Sequence, residues 1–231
     1  MRWTIALALL AALAVARADA QAPDAGCNQI VTTGTGRVDV APDVAVLTLG
    51  AQVQRATAAD AMAGSHRIAA AVIARWRGLG LRAEDVRTAA VGVMPVFTQP
   101  RDGGAPQVAG YRAVETLTAT ITDLALLGRA LDAAMAAGAN QVSGITFGLR
   151  DPSRPRGAAL AAAVRDAREK ADVIAQAAGL RITGVERIVE EGTAVQPREV
   201  RIASGAPPAP IEPGLVTVTA QVSMTVRYER R

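Results

Sequence analysis

The chain has 231 residues, of which 50% are hydrophobic, 20% charged and 3% aromatic, with a formal net charge of +4. One Cys and one His leave too few ligands for Cys/His zinc clusters, HExxH sites, Cys–His nucleophile pairs or a disulfide framework. The apolar content suffices for a packed core, and the basic excess is arginine interspersed with acids and poor in stacking aromatics, so neither a disordered chain nor a nucleic-acid partner is expected.

Met1-Arg2 is a short basic start, Trp3 opens an apolar run that ends at Ala16, and Ala18-Asp19-Ala20 is a small-x-small site. Together they predict a secretory signal peptide over residues 1–20, cleaved after Ala20, and delivery to the periplasm. Residues 21–29 are expected to be a flexible N-terminal segment and residues 30–231 a single domain. No later run reaches about 18 uninterrupted apolar residues, so no integral membrane insertion is expected. Cys27 carries three readings: a lipid anchor, an interchain disulfide, or a free thiol in the N-terminal segment. Asp24-Ala25-Gly26 places an acid where a lipid-attachment motif wants an aliphatic residue, which favours the free thiol.

Residues 30–54 are β-branched and punctuated by Gly34-Thr35-Gly36 and Ala41-Pro42-Asp43, which predicts three short strands joined by two turns. Over residues 57–79, Ala61, Ile68, Ala69, Val72 and Trp76 recur at helical spacing. Thr57 and Asp60 form a capping box with Asp in place of Glu, and Gly78 and Gly80 close the helix. Residues 86–98 read as a strand and 100–107 as a loop. Residues 111–122 alternate, with Leu117, Ala119 and Ile121 opposite Thr116, Thr118 and Thr120. Asp123 caps a second helix with Leu124, Leu127, Leu131 and Ala134 on one stripe, ended by Gly138, and residues 142–149 return as a strand.

The third helix, residues 155–178, is expected to bury Leu160, Val164, Ala167, Ala171, Ile174 and Ala178. It should show solvent the i,i+4 pairs Arg165 with Glu169, Asp166 with Lys170, and Arg168 with Asp172. Gly179 stops it, residues 182–189 form a strand, and residues 193–213 form a long loop. The last strand alternates cleanly, with Val216, Val218, Ala220, Val222, Met224, Val226 and Tyr228 on one face. The order calls for an α+β fold, a mostly antiparallel sheet with three amphipathic helices packed on it. The uncharged opposite face of the last strand, Thr217, Thr219, Gln221, Ser223 and Thr225, is a candidate interface if that strand lies at a sheet edge.

Chemistry is sparse. Gly34-x-Gly36 lacks the third glycine and following helix of a dinucleotide fingerprint, and no phosphate loop or G-x-S-x-G occurs. His66 and Ser65 are helix neighbours that point apart, so His66 is expected to face solvent or cap. Glu186, Glu190 and Glu191 cluster near a strand end and could serve hydrolysis or a cation, although no spacing motif supports it. Met62, Met94, Met135 and Met224 are read as core. No catalytic residue, metal ligand or cofactor is predicted.

Residues 30–40, IVTTGTGRVDV, are followed by Ala41-Pro42-Asp43-Val44-Ala45. Further on stand Gly110-Tyr111-Arg112-Ala113, Thr122-Asp123-Leu124, Gly138-Ala139-Asn140-Gln141-Val142-Ser143-Gly144-Ile145, Ala167-Arg168-Glu169-Lys170-Ala171 and Ile211-Glu212-Pro213-Gly214. In this order and spacing they resemble the SIMPL-domain family of bacterial periplasmic and secreted proteins over nearly all of residues 30–231. The resemblance implies a compact α+β domain that assembles into large ring or channel-like homo-oligomers. It also implies links to periplasmic antigens and oxidative-stress defence, and it supplies no catalytic residues. The expected function is thus a non-enzymatic, self-assembling scaffold or binding module of the envelope. The alternative is a small-ligand binder or hydrolase using carboxylates and arginines in a pocket near residues 100–107 and 193–213.

Overall fold

The computed structural model describes residues 28–99, 104–200 and 212–230. The expected signal peptide, Cys27 and residues 100–103 and 201–211 of the two loops lie outside the described residues. In chain order the elements are β1 (Gln29–Val40), β2 (Val44–Arg55), α1 (Ala58–Gly78), β3 (Val86–Thr98), β4 (Gln107–Ile121) and α2 (Leu127–Ala136). They continue with β5 (Gln141–Gly148), α3 (Ser153–Ala177), β6 (Leu180–Gln196), β7 (Arg198–Val200) and β8 (Val216–Arg230). The fold is α+β, as the order of patterns predicts.

The strands form two antiparallel sheets rather than one, a three-stranded sheet in the order β1-β8-β6 and a five-stranded sheet in the order β3-β4-β2-β5-β7. The chain passes between them four times, from β1 to β2, from β5 through α3 to β6, from β6 to β7 and from β7 to β8. At Ala41-Pro42-Asp43 the chain leaves one sheet for the other, as the turn signal predicts, and Asp43 locks this corner to the end of β5. Its amide donates to the Gly148 carbonyl at 3.1 Å and its Oδ1 accepts from the Arg150 amide at 2.7 Å. The crossing from β6 to β7 is a single residue, where the sequence predicts loop.

Each sheet buries one face under helices. On the five-stranded sheet, Ala45, Leu47 and Leu49 of β2, Leu117, Ala119 and Ile121 of β4 and Ile145 and Phe147 of β5 meet Ala69, Val72 and Trp76 of α1 and Leu127, Ala130 and Ala134 of α2. Trp76 is fully buried, and its indole N–H donates to the Ala130 carbonyl at 2.8 Å, which ties α1 to α2 without leaving a buried donor unmet. Thr57 caps α1, its Oγ1 accepting from the Asp60 amide at 3.1 Å and lying 2.8 Å from the Asp60 carboxylate.

On the three-stranded sheet, Val218, Ala220, Val222, Met224 and Val226 of β8 pack against α3. The helix presents a stripe of Ala159, Ala163, Ala167, Ala171 and Ala175, every fourth residue, all buried. The expected stripe is therefore turned: Leu160 and Val164 are half-buried flanks and Ile174 is exposed. The cause lies across the interface. Gly34 and Gly36 are not turn residues but the middle of the continuous strand β1, and a Cβ added there would stand 2.0 Å from the Ala163 carbonyl oxygen and 1.9 Å from that of Ala159. The glycines and alanines together bring helix backbone onto strand backbone, which larger side chains in the stripe would prevent. Met224 is core as expected, whereas Met94 and Met135 are exposed.

Candidate interaction surfaces

With helices on one face only, each sheet keeps an open face and two edges. The open face of the three-stranded sheet holds Thr33, Thr35, Arg37 and Asp39 of β1, Thr217, Thr219, Gln221, Ser223, Thr225 and Arg227 of β8, and the facing positions of β6, because residues opposite one another in register share a face. The candidate interface residues Thr217, Thr219, Gln221, Ser223 and Thr225 thus lie together on an open face. However, β8 is the central strand of its sheet, so it has no free edge with which to pair another chain, and the same holds for β4 in the other sheet.

Two ion networks fix the ends of this face. At one end Asp39 Oδ1 accepts from the Thr217 hydroxyl at 2.6 Å and Asp39 pairs with Arg37 at 3.1 Å. The Thr217 hydrogen bond, with Arg37 second, holds the Asp39 carboxyl below the usual carboxylate range. At the other end Glu186 Oε2 takes Arg227 Nε at 3.1 Å and Gln29 Nε2 at 2.8 Å, and Arg227 foremost holds its carboxyl low. Between them lies a basin of about 560 Å³ lined by Thr35, Arg37, Glu191, Thr193, Thr219 and Gln221.

The three expected acids do not converge. Glu186, Glu190 and Glu191 lie within β6 rather than at its end: Glu186 is committed to Arg227, and Glu190 accepts from Thr193 at 2.8 Å. The arginine that meets Glu186 does so on an exposed sheet face. Among the described residues no group of three His, Cys, Asp or Glu is placed to hold a metal ion, and no helix is long and apolar enough to cross a membrane.

The sequence gives no hint of two further contacts. Asp166 and Lys170, expected as a solvent pair 2.7 Å apart on α3, reach the outer edge of β1. Asp166 Oδ2 accepts from the Thr35 amide at 2.7 Å, and Lys170 Nζ donates to the Thr33 carbonyl at 3.0 Å. Lys170 first and the Thr35 amide second hold the Asp166 carboxyl below the ordinary range. The second contact joins the chain's only His to a buried acid: His66 Nδ1 lies 2.7 Å from Glu115 Oε2, with His66 half-exposed and Glu115 buried. The two groups approach without hydrogen-bond alignment, since Glu115 Oε2 has no hydrogen-bond partner.

A two-sheet α+β domain with helices on one face of each sheet, an open face on the other and its carboxylates dispersed is the class of protein these features define. The chain belongs to the SIMPL family, described as a protein of unknown function (DUF541), whose profile matches residues 30–226. It is similar to the 26 kDa periplasmic immunogenic protein of Brucella melitensis, 30% identical over 70% of this chain and 65% of that protein. It is also similar to the uncharacterized protein YggE of Edwardsiella ictaluri, 31% identical over 78% of this chain and 75% of that protein, and to YggE of Escherichia coli K12, 30% identical over 73% and 68%. The match spans just under two thirds of the length of the Brucella proteins.

Proposed function

We propose that this chain is an exported periplasmic protein that works without catalysis, as a self-assembling scaffold or binding module of the cell envelope. The carrying observation is the distribution of its surface. The open face of the five-stranded sheet leaves the Thr- and Val-bearing strands β2 and β4 uncovered by helices, and that of the three-stranded sheet carries a Thr-, Ser- and Gln-bearing stretch of β8 between two ion networks, while the acids that could do chemistry are dispersed into separate structural pairs. Export is supported by the basic, apolar and small-residue pattern of residues 1–20 and by the name of the Brucella relative, a periplasmic immunogenic protein. A role in envelope or oxidative stress is supported by the family resemblance.

The solution mass of the purified protein, measured by light scattering on a sizing column with and without reductant, tests the reading. A discrete oligomer insensitive to reductant is expected. A monomer at every concentration overturns it, and a dimer lost on reduction assigns association to Cys27 instead.

A further inference from the structure

The two sheets have four edges between them, and these are defended unequally. On β1 the outward Thr33 carbonyl and Thr35 amide are occupied by Lys170 and Asp166. β7 is three residues long. β6 carries five charges, Arg181, Glu186, Arg187, Glu190 and Glu191, and three register breaks against β8. Covering helices, short strands, charges and bulges are the devices by which sheets avoid joining another chain. β3 has fewer of them: it breaks register against β4 twice, between Thr88 and Ala90 and between Val96 and Phe97, and runs unbroken from Ala90 to Val96. Its 13 residues, VRTAAVGVMPVFT, contain one charge, Arg87 near the start, and Pro95 interrupts the row of amide donors at a single residue.

Its side chains are also those of a strand awaiting a neighbour. Val91 and Val93 stand opposite Glu115 and Ala113, two buried residues on the α1 side of the sheet, so the valines point to that side as well. They remain 48% and 43% exposed, and Met94 and Phe97 are exposed beside them.

We infer that the β3 edge is an interface between copies of this chain: two β3 strands pair antiparallel about a two-fold axis perpendicular to the sheet and join two five-stranded sheets into one. This rests on the self-assembly reading above and names its surface. Charge selects the occupant. Such an axis keeps each face on its own side, and a register centred on Gly92 sets Val91 of one copy against Val93 of the other. Gly92 brings no side chain to the axis, and the two Arg87 residues go to opposite ends, so no like charges are opposed. A β6 edge docked on β3 would instead set five charges against an uncharged apolar strand.

The test uses the full protein in three variants, with circular dichroism to confirm the fold of each. Val91→Lys/Val93→Lys charges the β3 edge at exposed positions, and Val185→Lys/Val189→Lys charges exposed positions of β6 as a control. Gly92→Cys, in a Cys27→Ser background, places a thiol at the axis, where an added Cβ meets nothing within 4 Å. Light scattering should give the β3 variant at most half the wild-type mass and leave the β6 variant at the wild-type mass. Mild oxidation should convert most Gly92→Cys chains to covalent dimers. A folded β3 variant of wild-type mass, or loss of mass in the β6 variant alone, overturns the assignment while self-assembly stands. A monomeric wild type removes self-assembly itself. Should the double lysine variant fail to fold, absence of the Gly92→Cys dimer overturns the assignment.

Discussion

Gly34 lies so close to Ala163 that a Cβ on the glycine would stand 2.0 Å from the alanine's carbonyl oxygen and 2.5 Å from the amide of Ala167. Both neighbours are helix backbone, which cannot rotate aside as a side chain would. Gly34→Ala must therefore lift α3 from β1, and overpacking of this kind costs about 1–3 kcal/mol or more. Gly157→Ala, within the same helix and with nothing inside 4 Å of the added methyl, should instead stabilise by about 0.5–1 kcal/mol. Urea denaturation of the two variants is expected to move the midpoint in opposite directions.

The side chains that hold α3 on β1 also close an edge. Removing Asp166 leaves the Thr35 amide without its acceptor and a stretch of β1 open to pairing. Asp166→Ala should therefore aggregate faster than wild type on mild heating, beyond what its loss of stability explains. A turbidity assay at matched fraction unfolded checks this.

Acid should weaken the fold through the same group and its fellows. Asp39, Asp85, Asp151, Asp166 and Glu186 are all held below their ordinary values, by hydrogen bonds from Thr217, Arg82, Ser153, Lys170 and Arg227 respectively as the largest cause. A carboxyl depressed in the folded state contributes stability above its unfolded value and loses it as pH falls through the folded value. The urea midpoint should stay level from about pH 7 to pH 5 and fall below about pH 4. In Asp166→Asn the acid fall should be shallower.

Glu115 Oε2 lies 2.7 Å from His66 Nδ1, and the acid is buried between β2 and β3 under α1. Breaking a pair by removing one member strands the other, so His66→Ala should destabilise wild type yet be close to neutral in Glu115→Gln. A double-mutant cycle at pH 6 should give a coupling of about 0.5 kcal/mol or more, and additive effects would mean the contact contributes nothing.

Local signals made most elements legible. The Thr57 and Asp60 cap, the alternation of β4 and β8 and the glycines at positions 80, 138 and 179, all at positive φ, mark strands and helix ends correctly because each acts within a few residues. What failed depends on distant partners. Gly34 and Gly36 read as a turn because their cause is Ala159 and Ala163, more than a hundred residues away. The buried face of α3 is not legible for the same reason: large residues are usually core, and here the closest approach needs alanine. Strand order leaves no local trace either: the Thr face of β8 makes an interface only if that strand lies at an edge, and it is β3 that does.

Amide hydrogen exchange across a dilution series reports on that edge most directly. Expected is slow exchange over Val86–Thr98 at high concentration that speeds up on dilution, with β6 independent of concentration and the Thr35 amide protected throughout by Asp166. Exchange over β3 that is fast at every concentration, while light scattering still reports an oligomer, would contradict assembly through this strand.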